Sequence, residues 1–260
     1  MRNTYFLLFM LLIACLGCEW KLHSSGQHDD SRTIVIERYD QLEQRYLSTG
    51  DIAALQQMNT EYPTETRLLV EDLLQLGPAN DPGIKNKLLL FFQDSTLQKL
   101  ISDVESEYSD MNDIEEQLSD AFSRLQQLLP DLPLPRVYTQ ISSLDQSIVA
   151  GDGFLGISLD KYLGTDYPLY LRYGYTARQR SMMNRSFIVP DCLGFYLLSH
   201  YPFNENDTTR ASRNCHMGRI QHVVNQALRR QLFTNEAVLQ AEKLMQSDKS
   251  ITPAQLLQLQ

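Results

Sequence analysis

RVYTQISSLDQSIVAGDGFLGISLDKYLGTDYPLY, residues 136–170, is the stretch whose reading decides the fold. Residues 137–141 alternate well enough for a half-buried strand. Residues 147–150 and 155–159 are two more strand-like runs. Gly151-Asp152-Gly153 between them has the chemistry of a hairpin turn. Together the three runs predict an antiparallel meander. Asp160 then opens a short helix, DKYLG, which Gly164 ends, and Asp166-Tyr167-Pro168 makes a turn.

Helical patterns flank this centre. TIVIE, residues 33–37, is one further strand candidate. Residues 39–46 and 51–62 read as helices, with Asp51 placed to start the second and Pro63 to end it. Residues 68–76, 81–92 and 95–108 follow in the same class. Residues 110–129 carry Met111, Ile114, Leu118, Phe122, Leu125 and Leu129 at spacings of three and four, the helical period. Downstream, residues 176–184, 188–201, 210–233 and most of 235–260 are helical in pattern. The expectation is a single α+β domain over residues 33–260, mainly helical with a small antiparallel sheet.

The first 32 residues read differently. Arg2 and the apolar run YFLLFMLLIA, residues 5–14, have the form of a signal peptide, too short for a stable membrane span. The run ends in LIACLGC, where a small residue precedes a cysteine, as lipoprotein processing requires. Cys18 is the favoured lipidation site, after a signal of residues 1–17, and Cys15 is the alternative. Residues 18–32 are a polar tether in which His23 and His28 are solvated. Acyl chains on one cysteine would hold the protein to a membrane of the cell envelope. Export permits disulfides, and Cys192 with Cys215 is the candidate pair, against two free thiols.

The net charge of −9 argues against nucleic acid as a partner. No nucleophile elbow, phosphate loop or dinucleotide fingerprint is present. Asp145, Asp152, Asp160 and Asp166 could offer an acid–base pair, but turn and cap roles explain each more simply. Tyr162, Tyr167, Tyr170 and Tyr173, with Tyr175 beyond, form an aromatic-rich stretch. It reads as core packing, as an interaction surface for other envelope proteins, or as a carbohydrate platform. His216 falls on the apolar face of residues 210–233 and His222 on the opposite face. Six residues apart, they do not stack as metal ligands at i and i+4 must. No metal, cofactor or catalytic residue is expected.

The Pro-rich lead-in to RVYTQIS, then IVAGDGFLGISLDKYLG and DYP, and later IVPD (residues 188–191), resemble the gliding-motility lipoprotein family GldB. The resemblance implies a lipid-anchored envelope protein of Bacteroidetes-type bacteria, here a shorter, Bacteroides-type member. In gliding members such a protein supports the motility machinery. The family arrangement also looks like that of zincin-type metallopeptidases. Aligned on His222, the general-base position is Val223 and the second ligand Gln226. Neither can do that chemistry, so a zincin-like arrangement here would be degenerate. The resulting expectation is a non-catalytic component of an envelope, motility or secretion-related assembly. The alternatives are a diverged metallopeptidase and a glycan-binding lipoprotein.

Overall fold

Residues 33–151, 153–203 and 209–259 are described by the structure, a computed structural model of the chain. The expected signal segment with Cys15 and Cys18, the expected tether with its two histidines, and Asp152 lie outside the described residues.

The chain begins with β1 (Ile36–Glu37), then α1 (Tyr39–Thr49), α2 (Ile52–Glu61) and α3 (Pro63–Arg67). A π-helical stretch, Leu68–Leu73, continues α3. Next come α4 (Ile84–Phe91), α5 (Ser95–Glu107) and α6 (Asn112–Leu128). The sheet is completed by β2 (Arg136–Gln140), β3 (Ile148–Gly151) and β4 (Phe154–Ser158). The last part is helical: α7 (Pro168–Arg172), α8 (Ala177–Arg180), α9 (Ile188–His200), α10 (Arg210–Leu228), α11 (Glu236–Ser247) and α12 (Pro253–Gln258).

Local chemistry sets these boundaries. Gly50 ends α1 in the left-handed region, with φ at 71°, and its amide donates to Tyr46 O at 2.8 Å. Asp51 starts α2 by accepting from the amides of Ala53 and Ala54. Pro63 ends that helix but also opens α3 at its first position, where a missing N–H costs nothing. On α6 the predicted stripe of Ile114, Leu118, Phe122 and Leu125 is buried in the core.

The sheet differs from the expected meander. It is mixed, in the order β1-β2-β4-β3. In this sheet only β3 and β4 pair antiparallel, with Gly151 opposite Phe154. β2 runs parallel to β4, with Val137 opposite Leu155, and parallel to β1, with Ile36 opposite Val137. The turn signals are local and fix the hairpin alone. Where β2 joins depends on burial, and Val137, Tyr138, Thr139 and Gln140 are all fully buried. A strand covered on both faces suits the interior of a parallel arrangement. Gly156 on β4 makes room for this: a Cβ there would sit 2.5 Å from the Tyr138 ring.

The free edge of β1 is covered by side chains of α6. Glu115 Oε2 accepts from the Ile36 amide at 2.7 Å, and Ser119 Oγ accepts from the Ile34 amide at 3.0 Å. Arg136 ties the strands together at their other end, donating to both oxygens of Glu37 (2.6 and 2.9 Å) and to Glu65 Oε1 (2.6 Å). On the other side, α9 packs on β3 and β4, and α10 lies against α6, α9 and α11.

α10 and α11 touch backbone to side. A Cβ on Gly218 would meet the backbone and Cβ of Ala237 at about 2.5 Å, a separation only a shift of α11 could relieve. Gly218→Ala should therefore cost about 1–3 kcal/mol despite its better helix propensity. A urea titration checks it, and an unchanged or raised midpoint would contradict the packing.

Candidate functional site

The residues of SLDKYLG meet the loop that joins β2 to β3. In that loop Ser143 and Leu144 both take positive φ, 57° and 67°, which non-glycine residues adopt reluctantly. Asp160 holds them there. Its Oδ1 accepts from the Ser142 amide at 2.9 Å and its Oδ2 from the Leu144 amide at 2.5 Å. The carboxyl is fully buried. Burial pushes it up from the ordinary carboxylate range, while the two amides and Lys161 oppose the shift. Asp160 is thus a clasp for a preceding loop and not the expected start of a helix; only a 3-10 turn, Leu159–Lys161, follows β4.

Lys161 finishes the clasp. Its Nζ donates to Leu144 O at 3.2 Å and to Tyr175 Oη at 3.0 Å, and lies 4.6 Å from the centre of that ring. Tyr170 Oη donates to Asp160 O at 2.7 Å and accepts from the Leu163 amide at 2.9 Å. Tyr108 Oη donates to Tyr162 O at 2.6 Å. Of the two readings, core packing and interaction surface, Tyr162 and Tyr170 follow the first: they are core residues, 2% and 0% exposed. A tyrosine hydroxyl can be buried when an acceptor meets it: the Asp160 carbonyl for Tyr170, the Tyr162 carbonyl for Tyr108 and the Asp191 carboxylate for Tyr162. Tyr167 is half-buried and donates to Asp103 Oδ2 at 2.9 Å. Tyr173 alone of the four is open to solvent, at 60%.

Tyr162 also links the two motifs. Its Oη donates to Asp191 Oδ2 at 2.8 Å. Asp191 is the last residue of IVPD and stands in the first turn of α9. Burial pushes its carboxyl up to about 6, and the Tyr162 bond opposes the shift. Oδ1 takes no hydrogen bond from the described residues. Asp191 lines a groove of about 120 Å³ between α9 and α10. Met182, Phe195, Leu198, Met217, Val224 and Phe233 line its walls. Gly194 faces open space there.

A second buried acid group lies at the carboxyl ends of β1 and β2, and the sequence reading missed it. Asp40 accepts from Arg38 Nε and Nη2 (2.9 and 2.8 Å) and from the Thr139 hydroxyl. Glu43 is fully buried, its Oε2 accepts from the Ile141 amide at 2.7 Å, and its Oε1 has no partner. Burial, with Asp40 and Asp160 nearby, pushes the Glu43 carboxyl well up. On a helix reading YDQLEQRY these acids look like an ordinary solvated face. Asp145 and Asp166, by contrast, are exposed in turns.

His216 is buried, with Nε2 2.7 Å from Tyr201 O. His222 is buried too, which corrects its expected place on the polar face. Its Nε2 lies 3.1 Å from Gln226 Nε2, and burial lowers its basicity. Among the described residues no group of three His, Cys, Asp or Glu side chains is placed to hold a metal ion. Cys192 and Cys215 are both free thiols, so the proposed disulfide is not formed. Cys192 points into the core from α9, whereas Cys215 lines a polar cleft on α10 beside Arg210 and Gln240.

A family model described as gliding motility protein GldB matches residues 23–244. The chain belongs to the GldB family. No curated protein and no solved structure matches it. The matched span holds both SLDKYLG and IVPD, the motifs that the Tyr162–Asp191 bond joins. Among the described residues of this GldB-family chain, no helix is long and apolar enough to cross a membrane.

Two pH-dependent outcomes follow from the buried acids. A carboxyl raised in the fold binds its proton more tightly than in the unfolded chain, so stability is full below the unfolded value and falls as pH rises. For Asp191 that fall spans about pH 4 to about 6. Tyr162→Phe removes the donor to the ionised form and should cost about 1–3 kcal/mol at pH 8 and less at pH 4. Glu43→Gln mimics the protonated acid. Its urea midpoint should exceed that of the wild type at pH 8, with the gap closing toward pH 4. Urea titrations at both pH values read each effect; pH-independent differences would remove the assignment.

Proposed function

We propose that the chain is a lipid-anchored, non-catalytic component of a gliding-motility or related envelope assembly, acting through protein contacts. One observation carries the non-catalytic part. The chemistry-bearing residues of SLDKYLG are spent on the fold itself: Asp160 on two backbone amides, Lys161 on a carbonyl and a tyrosine, Tyr162 on Asp191. A group held on all sides by its own chain is poorly placed to meet substrate. The apolar groove beside Asp191 supports the contact part, because it offers area for burial without reactive groups. Membership of a family described by gliding motility supports the assembly.

The anchor reading rests on the apolar run at residues 5–14 and LIACLGC. Several acyl chains make such attachment stable. In cells fed an alkyne-bearing palmitate, the protein should take up label and sediment with membranes. Cys18→Ser should abolish the label and release the protein, while Cys15→Ser retains both. Labelling of neither cysteine would remove the anchor, and one tightly held zinc per purified chain would overturn the non-catalytic reading.

A further inference from the structure

Among the described residues, Asp191 is the single charged side chain lining the groove between α9 and α10, in otherwise mostly apolar walls. We propose that it docks a segment of a partner envelope protein in which an apolar side chain neighbours a lysine or arginine. The inference rests on the reading of the chain as a protein that works through contacts, and it names the chemistry of one such contact.

Charge complementarity selects the occupant. Asp191 Oδ2 accepts from Tyr162, and Oδ1, which is not fully enclosed, takes no hydrogen bond from the described residues and is open to an incoming donor. A carboxylate against apolar walls is costly while it lacks a counterion, and a cation brought to it gains more than it would in water. Among the described residues no basic side chain lines the groove, so the occupant is the source of the cation. Its volume, about 120 Å³, has room for one side chain beside that cation. Phe195 and Met182 stand at the surface, 40% and 38% exposed, and Met217 lies within. Such aromatic and thioether groups adapt to an apolar partner side chain and are enriched where proteins meet.

The site can be blocked without disturbing the fold. A Cβ on Gly194 meets nothing within 4 Å, and the residue is in helical conformation. Gly194→Trp should therefore fill the groove while leaving the thermal midpoint nearly unchanged. Asp191→Asn removes the charge and keeps the acceptor for Tyr162.

The test is photo-crosslinking of the full chain in cells, with benzoylphenylalanine in place of Phe195 and, for comparison, of exposed Leu90 on α4. The expected product at 195 is a partner peptide with an apolar residue beside lysine or arginine. Gly194→Trp and Asp191→Asn should each cut its yield at least tenfold, and Leu90 products should not change. Changing the partner's basic residue to Glu should match that loss, and Asp191→Lys in the same cells should restore the product. Yields unaffected by both groove variants overturn the proposal. So does a product with lipid, with a second copy, or with the chain's own Trp20-Lys21-Leu22. Capture from Leu90 alone overturns the groove and leaves the contact reading standing; capture from neither position overturns both.

Discussion

One carboxylate with no exposed surface, that of Asp160, sets the terms for the rest of the structure. It accepts the amides of Ser142 and Leu144 across a loop that would otherwise be poorly specified. Two adjacent left-handed residues cost about 1–3 kcal/mol each when nothing over-determines them. Here the acid, Lys161 and Tyr175 over-determine them from one side. The loop then has only one way to turn, and it delivers β3 to the far edge of β4. β2 and β4 are left side by side and parallel.

The other buried acids answer the same need. β1 is two residues long, so the chain leaving β2 has no strand beside it to take up its amides. Buried backbone donors must be met by something. Glu43 meets Ile141, and Asp160 meets Ser142 and Leu144. Thr139, Gln140, Ser142 and Ser158 are buried around them, and Gln140 Nε2 reaches Ser158 Oγ at 3.1 Å. A polar layer thus replaces ladder bonds at the carboxyl ends of the strands. Its weak points are visible: Glu43 Oε1, Gln140 Oε1 and the Tyr138 hydroxyl find no partner. A proton on Glu43 removes a buried charge that Asp40 and Asp160 also repel, which is why burial favours the neutral acid.

Much of the helical part was legible in the sequence because its signals are local. The period of residues 110–129, the cap at Asp51 and the antiparallel pairing of β3 with β4 each act within a few residues. What escaped was what distant segments do to one another. Asp160 precedes a polar turn and looks like a cap until the loop before β3 wraps around it. Tyr162 and Tyr170 could be core or surface aromatics until the Asp191 carboxylate and the Asp160 carbonyl meet their hydroxyls inside. His222 falls among Arg219, Gln226 and Arg230 in sequence, yet α11 folds over α10 and covers it. In each case the side chain has both polar and apolar character, and only a non-local partner decides which part shows. The Tyr162–Asp191 bond had one readable trace: two motifs that shared a family resemblance proved to be neighbours in space.

The sheet also dictates an order of events. Asp40 and Thr139, which share a hydrogen bond, are 99 residues apart. Both parallel pairings of β2 join segments that no tight turn connects. Closing such loops costs entropy before any ladder bond repays it, so topologies of this kind fold slowly. The clasp comes later still, since Asp160 follows every strand that it arranges. A chain threaded outward from its amino end can form α1 to α6 as they emerge. It cannot commit its sheet until residue 160 has arrived, and the helices formed earlier must wait with their inner faces uncovered. Transient protection of those faces is then a requirement of the fold's connectivity rather than of its final stability.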